Sequence, residues 1–316
     1  MKKEQILVIG ANGQIGSVLV AHLRKIYGED HIIASDLQEP VVQQGRFIQL
    51  DATHADSLAE VVRKHQVTQI YHLAAILSAK GEQDPMNTWS VNMQSFFNVL
   101  EVARNFNVKK VFYPSSIAVF GAHAPKCNTP QWSPLDPLTV YGISKVAGEN
   151  WAQYYHKRYG MDVRSVRYPG IISYQSLPGG GTTDYAVDIF HKAVQNDKFE
   201  CFLNPDSRLP MIYMDDVLEG TIQLMEAPAN QIKVRTSYNL AAMSFTPEEL
   251  ASEIQKHLPQ FTINYQPDFR QDIADSWPDS IDDTPAREDW NWKPRFDLSL
   301  MTTEMLTRLQ AIAVPV

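Results

Sequence analysis

An apolar run over residues 5–9 stops at Gly10, Gly13 and Gly16 follow at three-residue steps, and helical periodicity then extends over 14–27. No other feature constrains the chain as tightly, because it dictates a strand, a tight glycine turn and a helix in that order. Gly10 permits the turn, Gly13 lets the backbone approach a pyrophosphate, and Gly16 lets the helix pack close to the strand. The G-x-x-G-x-x-G spacing is one residue wider at the front than the G-x-G-x-x-G dinucleotide pattern. A glycine triplet alone is weak evidence, and its weight comes from this context. Past Gly16, a second apolar strand over 31–35 ends at Asp36, where a carboxylate can accept both ribose hydroxyls. The same charge opposes a 2'-phosphate, so NAD is expected over NADP.

The pattern then repeats. Strands are predicted over 47–50, 69–73, 110–113 and 163–168, with helices over 56–65, 86–106 and 141–159 between them. Such alternation specifies an α/β fold, a Rossmann-type doubly wound parallel sheet covered on both faces. Beyond Pro169 the texture changes. A glycine-rich turn at 177–184 leads into a helix over 185–195, Pro-rich connections follow, and short strands are predicted at 200–203, 237–240 and 261–265. Thr246-Pro247-Glu248-Glu249 has the composition of a capped helix start. We therefore expect a cofactor-binding domain over 1–170 and a smaller mixed α/β lobe over 171–316, with some of its segments returning to the first.

Size and composition bound what this fold does. A chain of 316 residues with 44% hydrophobic content buries a substantial core. Its net charge of -8 and scattered basic residues argue against nucleic acid as a partner. Cys127 and Cys201 supply neither a disulfide framework nor a cysteine metal site, and the histidines show no metal-ligand spacing, so no metal is expected. Residues 1–4 pass directly into the first strand, and no apolar stretch approaches the roughly 20 residues of a membrane span. A soluble cytoplasmic protein with no membrane partner is expected.

Tyr141 and Lys145 stand four apart, on one face of a helix. An ammonium beside a phenol favours the phenolate, bringing a general base within reach of pH 7 to 8. Pro114-Ser115-Ser116 follows the fifth strand, where a hydroxyl can donate to a substrate oxygen while Tyr141 exchanges its proton. Asp51 and Ala52 follow the third strand; the acid either accepts from an adenine amino group or caps a helix. Leu73, Ala74 and Ala75 end the fourth strand, where small side chains leave room for a cofactor or simply pack.

Through Gly10 to Gly16, Asp36, Ser115 to Gly121, Tyr141 to Lys145 and Arg167-Tyr168-Pro169, the chain resembles the extended short-chain dehydrogenase/reductase superfamily over nearly its whole length. Stretches at 77–82, 168–173 and 178–187 resemble more closely the branch that oxidises the side-chain alcohol of L-threonine to 2-amino-3-oxobutanoate with formation of NADH. The resemblance implies Ser116 as a catalytic hydroxyl with Ser115 beside it, Tyr141 as the base, and Lys145 as the residue that holds the nicotinamide ribose. The cofactor set expected is Gly10, Gly13, Gln14, Ile15, Gly16, Asp36, Leu37, Asp51, Ala52, Leu73, Ala74, Ala75, Asn92, Tyr141, Lys145, Tyr168, Pro169 and Ile171.

Substrate contacts are expected from Ser78, Ser116, Tyr141, Thr182, Thr183 and Asp184. Asp184 has the polarity to meet an ammonium and the hydroxyls to meet a carboxylate, although Thr182 or Thr183 capping the next helix explains the same residues. A homodimer is implied through the helices at 86–106 and 141–159, whose Trp89, Phe96, Phe97, Trp151, Tyr154 and Tyr155 exceed what covering one sheet face requires. Two alternatives share the cofactor half: a nucleotide-sugar 4-epimerase or dehydratase, which needs a basic pocket for a diphosphate, and a noncatalytic NAD-binding sensor.

Overall fold

The computed structural model describes residues 4–313 apart from 41, 43, 178, 196 and 197. Residues 1–3 of the leading segment and Pro178 of the glycine-rich stretch lie outside the described residues. The first half runs β1 (Ile6–Ile9), α1 (Gln14–Tyr27), β2 (Ile32–Asp36), β3 (Phe47–Gln49), α2 (Ala55–His65) and β4 (Gln69–His72). It continues through α3 (Ser78–Gly81), α4 (Pro85–Asn105), β5 (Lys110–Ser116), α5 (Val140–Tyr159) and β6 (Val163–Tyr168). Then come β7 (Gly170–Ile172), α6 (Tyr185–Val194), β8 (Phe199–Cys201), β9 (Leu209–Tyr213), α7 (Met214–Glu226) and β10 (Tyr238–Asn239). The chain closes with β11 (Met243–Phe245), α8 (Pro247–His257), β12 (Ile263–Tyr265), α9 (Arg270–Ser276), α10 (Thr284–Trp290) and α11 (Leu298–Ala313).

Seven strands form one parallel sheet in the order β10-β6-β5-β4-β1-β2-β3. β1 lies between β2 and β4, so the order reverses there and opens a crevice at the strands' carboxyl ends. Buried runs such as Ile6–Ile9 and Gln69–His72 reflect helices on both faces. One apolar cluster unites Phe96, Val99 and Tyr113 with α2 on one face, and another joins Leu19, Tyr168, Met214 and Trp292 on the other.

The remaining segments do not form a closed body of their own. β10 pairs with β6 in the main sheet, Tyr238 beside Val166 and Asn239 beside Arg167. A three-stranded sheet β11-β9-β7 and the pair β12-β8 build the rest with α6, α8 and α11 around Tyr185, Phe190 and Met305. The start of α8 carries a full capping box: Glu249 N–H donates to Thr246 Oγ1 at 3.1 Å and Thr246 N–H to Glu249 Oε2 at 3.0 Å.

The aromatics of α4 and α5 divide. Trp89, Trp151 and Tyr154 are exposed, whereas Phe96 and Tyr155 are buried, which corrects their reading as outward-facing residues. Phe96 stacks on Tyr113 at 4.0 Å between ring centres, so sheet packing accounts for it.

Candidate active site

The glycine turn contains both structural and ligand-facing glycines. Gly10 has φ +85°, and a Cβ there would lie 2.6 Å from Ala74 N; one on Gly16 would lie 2.1 Å from Gly10 O. Packing therefore demands both. A Cβ on Gly13 would meet nothing of this chain closer than Gly10 O at 3.4 Å, yet Gly13 faces the cleft. A glycine at this lining position leaves room for a group from outside to approach the backbone. α1 begins at Gly13 with no side-chain cap and no acid in its first turn, leaving amide donors and a favourable field for phosphate.

Asp36 ends β2 and braces the same turn: Oδ2 accepts from Asn12 N–H at 2.9 Å and Oδ1 from Leu37 N–H at 2.7 Å. Each oxygen keeps a further lone pair for a ribose hydroxyl. This cradle fits a dinucleotide. Leu37 itself is an exposed side chain beside it. Asp51 accepts from the N–H and hydroxyl of Thr53 at 2.8 and 2.7 Å, forming a local turn before α2. Ala52 is buried, and its carbonyl accepts from Asn98 Nδ2 at 2.9 Å.

Cleft walls come from both parts of the chain. Gly10, Gly13, Gln14, Ile15, Gly16, Leu73, Ala75, Tyr168, Pro169 and Ile171 line one cleft together with Ser78, Ser115, Ser116, Tyr141, Lys145, Thr182, Thr183 and Asp184. Asp36, Leu37, Asp51, Ala52, Ala74 and Asn92 stand outside this lining. Ala74 backs Gly10. Asn92 is buried on α4 and is spent on Ile76, accepting its N–H at 2.8 Å and donating to its carbonyl at 3.1 Å. It thus fixes the loop after β4 from behind.

The two polar loops expected to meet a substrate do converge. Ser78 Oγ lies 3.5 Å from Thr182 Oγ1, and both are buried. Asp184 Oδ2 accepts from the N–H groups of Gly180 and Gly181, each at 2.7 Å, so the carboxylate gathers the glycine loop around itself. Burial raises the Asp184 pKa, opposed by those loop amides. Neither threonine side chain caps α6, which begins after Asp184 without a side-chain cap.

Thr139 starts α5 by accepting from Gly142 N–H at 3.1 Å, and this aims Tyr141 and Lys145 at the cleft. Lys145 Nζ donates to the Pro114 carbonyl at 2.7 Å, 4.6 Å from the Tyr113 ring centre and 5.4 Å from that of Tyr141. Burial pushes Tyr141 up to about 12, opposed by a hydrogen bond with the Ser116 side chain. Burial also brings Lys145 down to about 7, opposed by the charge of Glu149. The expected lowering of Tyr141 by a fully charged lysine is therefore corrected for the protein alone: both groups are desolvated, and each is driven toward its neutral form.

Ser115 differs from its neighbour. Its hydroxyl donates to Glu149 Oε1 at 2.6 Å, so the proton it was expected to offer a substrate is committed inside the protein. Ser116 lines the same cleft as Tyr141, and its hydroxyl accepts from Ala118 N–H at 3.2 Å. Trp277, at the end of α9, also lines the cleft, with Leu77, Pro114, Ile117, Gly170 and Gly181. The backbone residues adjoin predicted motifs, whereas nothing local marks Trp277.

Arg208 lies away from this lining, bound to the Ser244 carbonyl at 3.0 Å and paired with Glu249. Lys145 is the cationic side chain among the described residues of the cleft, and no arginine joins it there. A diphosphate-sized substrate would lack the charge it needs.

Comparison with known proteins agrees with this geometry. The NAD dependent epimerase/dehydratase family profile matches residues 6–241. L-threonine 3-dehydrogenase, mitochondrial, of Bos taurus is 48% identical over 96% of this chain and 82% of its own. The holo form of a GalE-like L-threonine dehydrogenase from Cupriavidus necator is 52% identical, with TM-score 0.95 over 96% of this chain and 99% of that one. A monomeric L-threonine 3-dehydrogenase from a metagenome, in its apo form, is 49% identical, with TM-score 0.95 over 98% of this chain and 99% of its own. With a parallel sheet, a glycine cradle and a Tyr141/Lys145 pair in one cleft, the chain belongs to the NAD dependent epimerase/dehydratase family.

Proposed function

We propose that this chain oxidises the side-chain hydroxyl of L-threonine with NAD, giving 2-amino-3-oxobutanoate and NADH. The observation that carries the reading is the meeting of Ser78, Thr182, Thr183 and Asp184 with Ser116 and Tyr141 in one cleft that also contains the glycine cradle. NAD, when bound, supplies the acceptor for the hydride that leaves the alcohol carbon. The amides around Gly13 hold its phosphates, Asp36 its ribose, and Lys145 the second ribose.

Tyr141 takes the hydroxyl proton, and Ser116 holds the same oxygen by hydrogen bonding as its carbon becomes a ketone. Asp184 balances the substrate ammonium, while the hydroxyls of Ser78, Thr182 and Thr183 offer donors to its carboxylate. Lys145 is buried and Tyr141 partly buried, which limits water at these contacts and strengthens them. Purified protein with L-threonine and NAD is expected to accumulate absorbance from NADH. No turnover with threonine, alongside conversion of a sugar nucleotide, would transfer the reading to the epimerases.

We read residues 1–170 as the cofactor-binding half and 171–316 as mainly the substrate lobe. A homodimer through α4 and α5 is the assembly we favour, supported by exposed Trp89, Trp151 and Tyr154 on those helices. Sedimentation at micromolar concentration tests it, and a monomer would reject it. Among the described residues no helix is long and apolar enough to cross a membrane. Free thiols at Cys127 and Cys201 support a reducing compartment, and we favour the cytoplasm.

A further inference from the structure

Directly behind the cleft lies an ion pair with almost no solvent contact. Glu149 is on α5, one turn beyond Lys145 and two beyond Tyr141; Arg167 is on β6. Their side chains are 1% and 3% exposed. Arg167 Nε donates to Glu149 Oε1 at 2.9 Å and Nη2 donates to Oε2 at 2.7 Å, a two-pronged contact. The remaining guanidinium nitrogen donates to the Gln131 carbonyl and to Asn239 Oδ1, each at 3.0 Å. Each of the three guanidinium nitrogens donates. Replacing such a pair with well-packed apolar side chains is often neutral or stabilising, so its charges invite a role beside folding.

What the pair holds is more informative. Ser115 donates to Glu149 Oε1 at 2.6 Å, and Ser115 sits beside Arg167 in the β5–β6 register. Successive residues of a strand face opposite sides, so anchoring Ser115 against α5 fixes which way Ser116 points. Ser116 lines the cleft together with Tyr141, its hydroxyl accepting from Ala118 N–H at 3.2 Å. The same carboxylate thereby grips the helix that presents Tyr141 and Lys145 and the strand end that presents Ser116. We propose that Glu149, held by Arg167, is a positioning residue that acts through Ser115 to set Ser116 against Tyr141. This inference rests on the dehydrogenase reading and deepens it.

A displaced hydroxyl impairs the reacting geometry more than binding, so the brace predicts losses in kcat. The test is a cycle of Ser115→Ala, Glu149→Gln and the double variant, with Ser115→Thr as the conservative replacement. Each is assayed for NADH formation from L-threonine, for NADH binding by fluorescence, and for Tm. Ser115→Ala keeps the ion pair, so it is expected to fold and bind NADH normally while kcat falls about tenfold with KM little changed. Ser115→Thr restores most of the rate, and the double variant falls no further than Glu149→Gln alone, because the two residues act through one contact.

Wild-type kcat in Ser115→Ala would overturn the brace. So would losses that multiply in the double variant, or a loss in Ser115→Ala matched by a fall in Tm and recovered on cooling. An inactive wild-type protein is a different result: it would remove the dehydrogenase reading and this proposal with it.

Discussion

Asp184 Oδ2 accepts the N–H of Gly181 at 2.7 Å, so the carboxylate assigned to the substrate ammonium also organises the loop beside it. Asp184→Asn keeps an oxygen for the loop amides and removes the charge. KM for threonine is expected to rise by about tenfold or more, as loss of a charge-assisted contact implies, while NAD affinity stays close to wild type. Steady-state kinetics with each substrate varied measures both. An unchanged KM would take Asp184 out of the ammonium site.

Tyr141→Phe removes one hydroxyl and leaves the ring packed. The expected loss in kcat is about 100-fold or more, with NADH binding and Tm preserved. Fluorescence titration together with turnover separates the two effects, and near-normal turnover would identify another base. For the wild type, burial holds the Tyr141 hydroxyl up to about 12, so kcat is expected to climb from neutral into mildly alkaline solution.

Asp36 accepts from Asn12 and Leu37 at the end of β2, beside the glycine turn. Asp36→Asn retains acceptor capacity for the turn and removes the charge that opposes a 2'-phosphate. The ratio of kcat/KM for NAD over NADP should exceed one in the wild type and narrow by about tenfold in the variant, equivalent to ~1.4 kcal/mol. A wild-type preference for NADP would reverse the assignment.

Much of this site was legible because its chemistry is local in the chain. Gly10, Gly13 and Gly16 encode a turn by their spacing, and Tyr141 and Lys145 share a helix face by theirs. Asp36 was found because a strand end fixes its place. Trp277 was not, since a residue more than 100 positions from Tyr141 reaches the cleft through tertiary packing alone. The bond of the Ser115 hydroxyl to Glu149 was also hidden, since it joins residues 34 positions apart. Asn92 lay in a helix whose register against Ile76 no spacing reveals. The strand expected at 237–240 and the return of a lobe segment to the main sheet were legible, whereas the pairing of β10 with β6 is placed only by its register.

His72 ends β4 fully buried, stacked parallel to Phe96, with Nε2 3.2 Å from Ser95 Oγ. Burial, with the nearby Lys145 charge, depresses its pKa from 6.5 to about 3. The unfolded chain therefore binds more protons between those values. Stability from keeping His72 neutral is complete above about pH 6.5 and is lost progressively as pH falls toward 3. At pH 5 the loss is about 2 kcal/mol from this group. Urea midpoints measured from pH 7 to 5 should fall more steeply for the wild type than for His72→Gln; equal slopes would show that other groups govern the acid limb.

The most direct measurement follows absorbance at the NADH band with purified protein, NAD and L-threonine, beside a parallel reaction with UDP-glucose analysed for epimerised sugar. The account predicts NADH growth that requires L-threonine and disappears in Tyr141→Phe, with no conversion of the sugar nucleotide. Conversion of UDP-glucose without NADH formation from threonine would contradict it.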